Sequence, residues 1–181
     1  NGVESATPFQ ESRTMRPSTV ERLKESLASW GEMKEKGGAY AEYADEMIER
    51  FQVKLILLEH LLCQFTIHGL GLTLKHHSRD AWGVLLSDAS QLGRFRWQAF
   101  QRDGFTGHCT HDTPELCIGD MLDDGYVLLD MGALDRLSST AEWQCGMEIV
   151  AVIQACNAGQ MTLEDAMLKR EEIYSRYAKV A

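Results

Sequence analysis

The segment from residue 108 to residue 112 reads His-Cys-Thr-His-Asp, the densest run of chemically reactive side chains in the sequence. Imidazole, thiolate and carboxylate groups all bind zinc, and a strand end that runs into a helix start is a workable place for them. His108, Cys109, His111 and Asp112 are therefore a candidate metal site with zinc as its cofactor. A metal- or thiol-dependent hydrolase at His108–Asp112 is one functional alternative.

Strand geometry weighs against this metal site. Adjacent strand residues point to opposite faces, so His108 and Cys109 do not reach one ion without a bend. The sequence also holds no CxxC or HxxxH pair elsewhere that would complete four ligands. It contains no GxSxG, GxxxxGK[ST] or HExxH motif either. We therefore predict no catalytic residue, and the sequence favours a protein that is not an enzyme.

A short basic strip is predicted on the strand that precedes this reactive segment. Arg94, Arg96 and Gln98 alternate with apolar residues, which places them on one face, and Arg102 lies near the Asp103-Gly104 turn. We predict that these four side chains form a binding surface. Some DNA-binding proteins insert strand side chains into the major groove, so a nucleic-acid-binding domain is a second alternative. Residues 80–112 carry three basic and four acidic side chains, which favours an acidic protein surface as much as a phosphate backbone.

Charge and composition limit the classes of partner. The chain carries a net charge of −9, and residues 113–181, with 5 basic and 12 acidic side chains, hold most of it. This charge disfavours nucleic acid and suits a protein partner. The apolar run at 55–74 is interrupted by Glu59 and by polar side chains, so no membrane partner is predicted. Five cysteines at scattered spacings indicate a reducing cytoplasm rather than a disulfide framework.

The elements that position these residues indicate an α+β fold. We predict a flexible tail at residues 1–15 and a single domain at 16–181. Within it, a helical hairpin spans 18–68, a sheet-helix unit spans 82–130 and two helices span 140–179. The sheet is expected to be small and mostly antiparallel, with three to four short strands and one covering helix. Thr113, Thr140 and Thr162 are expected to cap the helices that follow them.

These expectations lead to one functional hypothesis. We interpret the chain as a non-catalytic protein-interaction or regulatory module, acting through the sheet face and the acidic C-terminal helices. The helix at 39–68 is apolar around much of its circumference, so either the sheet or a second copy must cover it, and a homodimer is a further alternative.

Overall fold

The computed structural model describes residues 19–178, so the predicted tail at residues 1–15 lies outside the described residues. Within the described range the chain forms helices and a sheet of mixed α+β class, as the sequence predicts. Its elements in chain order are α1 (Thr19–Lys36), α2 (Ala41–His68), β1 (Thr73–His76), β2 (Trp82–Ser87), β3 (Phe95–Gln101), β4 (Gly104–His111), α3 (Pro114–Asp123), β5 (Tyr126–Leu129), α4 (Ala133–Ser138), α5 (Ala141–Asn157) and α6 (Leu163–Tyr177).

The sheet has five antiparallel strands in the order β4-β3-β2-β1-β5, one more than the largest number predicted. The strand that the sequence does not predict is β1, which has only four residues and lies between β2 and β5. Its strand character depends on pairing with these two neighbours, and four residues show too little alternation to reveal it. Leu74 is fully buried, as its position on an interior strand between β2 and β5 allows.

The strand β1 ends at His76, whose imidazole is buried. Its Nδ1 accepts the backbone N–H groups of Ser78 (3.0 Å) and Arg79 (3.1 Å). Burial lowers the pKa of His76, and the charges of Arg79 and His77 lower it further. The neutral imidazole therefore fixes the turn between β1 and β2.

Three threonines cap helices where the sequence predicts caps. Thr113 accepts the backbone N–H of Leu116 at the start of α3, and Thr140 accepts that of Trp143 at the start of α5. Thr162 accepts the N–H of Asp165 at the start of α6. Each side-chain cap stabilises a helix by about 1 kcal/mol. The helix boundaries on both sides of the sheet are therefore encoded locally.

The long helix α2 packs only part of its apolar surface. Leu58 and Leu61 are buried against the sheet side of the molecule, whereas Val53, Ile56 and Ile67 are exposed. The exposed residues lie at helical spacing on one side of α2. None of the described helices is both long enough and apolar enough to cross a membrane.

Both faces of the sheet bury a tryptophan. Trp97 of β3 lies on the face that packs against α2 and α3, and its indole N–H donates to Asp120 of α3 at 2.7 Å. Trp82 of β2 lies on the other face, which α4 and α5 cover, and its indole N–H donates to Asp130 at 2.8 Å. The sheet therefore has two covered faces, where the sequence predicts one covering helix. Buried indole donors without such acceptors would be destabilising.

The turn between β3 and β4 makes a very close contact with α5. A Cβ atom placed on Gly146 of α5 would lie 1.7 Å from the backbone oxygen of Asp103. A Cβ on Gly104, whose φ is +128°, would lie 2.9 Å from the sulfur of Met147. The Asp103-Gly104 turn, predicted from the sequence, is thus also the place where α5 attaches to the sheet.

We predict that Gly146→Ala lowers the free energy of unfolding by about 1–3 kcal/mol or more, because the added methyl group collides with backbone rather than with a flexible side chain. Gly31→Ala is the matched control. It changes a helical glycine of α1 with nothing within 4 Å of the added Cβ, and should stabilise by about 0.5–1 kcal/mol. Urea unfolding measures both changes. Equal free energies of unfolding for the two variants would show that Gly146 does not lie this close to the backbone oxygen of Asp103.

Candidate functional site

The predicted basic strip is only partly free to bind a partner. The side chain of Arg94 donates to Gln91 Oε1 (2.7 Å) and to the backbone oxygen of Thr110 (3.2 Å), and its Nε lies 3.1 Å from a carboxylate oxygen of Asp112. Arg102 is ion-paired with Asp80. Two of the three predicted arginines therefore have acidic partners inside the chain, which lowers their value for binding a phosphate or an external carboxylate.

Arg96 and Gln98 remain as the polar centre of this surface. In the sheet register Arg96 lies opposite Thr110 of β4, and Gln98 lies opposite His108. Among the described residues Arg96 has no ion-pair partner, and its Nε is buried without a hydrogen-bond acceptor. Arg96 is therefore the one arginine of the predicted strip whose charge is not neutralised by a described residue.

The four predicted metal ligands are not brought together. Cys109 and His111 face α3, while His108 lies on the opposite face of β4 beside Gln98. Asp112 follows the strand and pairs with Arg94. In the part of the chain that the structure describes, no group of three or more His, Cys, Asp or Glu side chains is placed to hold a metal ion. Strand alternation, which the sequence already suggests, is the physical reason.

A different cluster forms around Asp120, a residue that the sequence reasoning missed. Its carboxylate accepts the indole N–H of Trp97 at 2.7 Å and lies 3.0 Å from Nε2 of His111. Burial raises the pKa of Asp120, but the hydrogen bonds from Trp97, His111 and the Cys109 thiol outweigh burial and lower it. The one sequence signal for this cluster is an acidic residue within the apolar run of α3.

The two thiols near Asp120 are poor nucleophiles. Partial burial raises the pKa of Cys109, and the charge of Asp120 and the hydrogen bond to it raise it further. Cys117 is fully buried, and burial raises its pKa to about 12. Because the thiolate is the reactive form, this cluster does not support thiol catalysis at neutral pH.

The sequence does not predict the concave surfaces of α5 and α6, one of which is a groove between these two helices and the β3–β4 turn. The two helices bury Val152, Ala166 and Ile173 against each other. Beside this contact lies a cavity of about 300 Å³, at the lower end of the range for ligand pockets. Its walls are mostly apolar and aromatic, and they are formed by Asp103, Ala141, Glu142, Cys145, Gly146, Ile149, Tyr174 and Tyr177.

The rim of this α5–α6 groove is acidic. Neither Asp103 nor Glu142 has an ion-pair partner among the described residues. The charge of Arg102 interacts with that of Glu142, but the guanidinium group of Arg102 forms its ion pair with Asp80. The groove therefore combines apolar walls with two carboxylates that form no ion pair with a described residue, although the charge of Arg102 partly compensates that of Glu142.

The far wall of the groove is held in place by Glu148 of α5. This carboxylate accepts the hydroxyl of Tyr177 at 2.8 Å and is ion-paired with Arg176. The hydrogen bond to Glu148 raises the pKa of Tyr177, so its hydroxyl stays protonated. Tyr177 is thereby fixed by α5, whereas Tyr174 remains 52% exposed at the groove mouth.

No protein-family model, curated protein or solved structure matches this chain. The functional inference therefore depends on the surfaces that its own residues form.

We predict that Cys109, although exposed, is alkylated slowly by iodoacetamide near neutral pH, because its pKa is raised. Asp120→Asn removes the negative charge beside the thiol, so the pH at which alkylation accelerates should shift downward. Burial is the larger cause of the raised pKa, so the shift should be incomplete. Mass spectrometry of the modified Cys109 peptide across a pH series measures it. The same pH profile in the two proteins would show that Asp120 does not control this thiol.

Proposed function

We propose that this chain is a non-catalytic protein-interaction module whose α5–α6 groove binds a basic, amphipathic segment of a partner protein. The observation that carries the proposal is the acidic rim of an apolar, aromatic groove, formed by Asp103 and Glu142. The sequence predicts two binding surfaces, the sheet face and the acidic C-terminal helices. The groove lies mainly on the second of these.

The groove suits a lysine or arginine side chain. The cation would lie between the two rim carboxylates, and its aliphatic stem would lie against Ile149 and the tyrosine rings. Tyrosine faces attract cations by about 0.5–1 kcal/mol at exposed sites. An acidic ligand would be repelled by the two rim carboxylates, neither of which forms an ion pair with a described residue, so the groove favours a positively charged ligand.

Apolar residues outside the groove favour an amphipathic segment over an isolated basic side chain. Leu163 and Met167 of α6 are 70% and 56% exposed, and they follow the same side of the helix as Tyr174. Ile153 of α5 is also exposed. A helical partner with apolar residues at the same spacing would cover these side chains while its basic residues meet the rim.

The alternatives from the sequence find less support. A hydrolase at His108–Asp112 requires either an assembled metal site or a reactive thiol, and the described residues form neither. Nucleic-acid binding through the arginine face requires cations that are free for phosphates, but Arg94 and Arg102 are ion-paired. The regulatory role, the cytoplasmic location and the homodimer stay predictions.

Binding of a designed peptide tests the proposed function. The probe is a synthetic amphipathic helix with leucine on one face and lysine on the other, and glutamate replaces lysine in the comparison peptide. We expect fluorescence anisotropy to show binding of the lysine peptide alone. Tyr174→Ala should weaken this binding about tenfold, because an aromatic contact surface is lost.

Matched controls separate the groove from general surface effects. Tyr43→Ala removes a similarly exposed tyrosine from α2 and should leave the affinity unchanged. Asp103→Asn combined with Glu142→Gln should weaken binding and reduce its dependence on salt, because two attractive charges are gone. Equal binding of the two peptides, or equal effects of the two tyrosine substitutions, would remove the groove as the binding site.

A further inference from the structure

We propose that the free edge of β4 binds an extended acidic segment of a partner protein, which adds to the sheet as a sixth strand. This site uses β3 and β4 residues that do not line the α5–α6 groove, so it stands independently of the groove proposal. Two features support this site, a sheet edge without charged residues or proline and an arginine beside it, Arg96, that forms no ion pair with a described residue.

The first observation is the exposure and regularity of β4. It is the outermost strand of the sheet on its side, and Thr106, Gly107, His108 and Cys109 are all exposed. From Gly107 to His111 it pairs with β3 without a register shift; the one irregularity lies nearer the turn, between Ala99 and Phe100. Alternate residues of such a strand direct backbone N–H and C=O groups away from the sheet.

Charged residues and proline, which normally protect a sheet edge, are missing from this strand, and its one register shift lies near the turn. Edge strands usually carry lysine, proline or another charged residue, or a bulge, that prevents a further strand from pairing. The sequence of β4, GFTGHCTH, contains no lysine, arginine, acidic residue or proline. Its regular part therefore presents a template on which an extended chain can form backbone hydrogen bonds.

The second observation is the charge beside the edge. Arg96, Gln98, His108 and Thr110 share one face of the β3–β4 pair, as their register requires. An added strand would lie about 4.8 Å from β4 and so about two strand spacings from β3. To meet a carboxylate of that strand on the same face, the long side chain of Arg96 would have to extend across β4.

These features favour an acidic segment over the other occupants of a sheet edge. In an edge-to-edge pair with a second copy, the Arg96 guanidinium groups of both copies would lie on one small surface and repel each other. A nucleic acid would use neither the backbone groups of β4 nor its strand geometry. An extended peptide with alternating carboxylates satisfies both the edge and Arg96.

The experiment compares four probes by fluorescence anisotropy. They are a peptide that alternates glutamate with valine, its lysine–valine counterpart, the glutamate peptide with every backbone amide N-methylated, and a single-stranded oligonucleotide. We expect only the unmethylated glutamate peptide to bind, because N-methylation removes the N–H donors that strand addition requires while it keeps the charge. Amide NMR shifts should localise the binding to β4.

Two substitutions complete the test. Arg96→Gln should weaken binding at least about tenfold, as expected when a charge-assisted contact is lost. Arg170→Gln removes an exposed arginine of α6 and should have no effect. Binding of the methylated peptide, the lysine peptide or the oligonucleotide, or dimerisation through β4 seen by NMR and light scattering, would overturn the proposal. Unchanged binding by Arg96→Gln would do so as well.

Discussion

The contact between Gly146 of α5 and the backbone oxygen of Asp103 is the constraint on which the candidate groove depends. At this point α5 approaches the β3–β4 turn so closely that no side chain fits between them. The contact places Glu142, on the first turn of α5, on the same rim as Asp103, and it presents the α5–α6 contact beside the turn. Because α6 packs chiefly against α5, the position of both helices follows from this attachment.

The sheet is a suitable support for that attachment because both of its faces are covered. Trp97 and Trp82 lie on opposite faces, and each is tied to a covering segment through a carboxylate. On the α5 side, Phe100, Phe105 and Trp143 pack edge-to-face, which adds directional contacts to the apolar burial. A sheet covered on both faces leaves two surfaces for the partners that we propose, the groove between α5 and α6 and the edge strand β4.

Much of the fold could be predicted from local sequence signals, whereas the site could not. The threonine caps, the Asp103-Gly104 turn and the alternation around Trp97 each act within a few residues, and all are found in the structure. The short strand β1 was missed because four residues show too little alternation, and because one of its two pairing partners, β5, is distant in the sequence. The site, too, depends on contacts between residues that are far apart in the sequence. The ion pair of Arg102 with Asp80 and the approach of Asp103 to Gly146 join residues that no periodic pattern relates. Composition alone indicated that the C-terminal helices would be acidic, but not that two carboxylates would border an apolar cavity.

Hydrogen–deuterium exchange of the chain, with and without the lysine-faced amphipathic peptide, tests the central claim most directly. The account predicts slower exchange in residues 141–149 and 174–177, which form the two walls of the groove, and unchanged exchange in α1 and α2. Protection centred on α2, or uniform protection along the chain, would place the binding surface elsewhere and contradict the account.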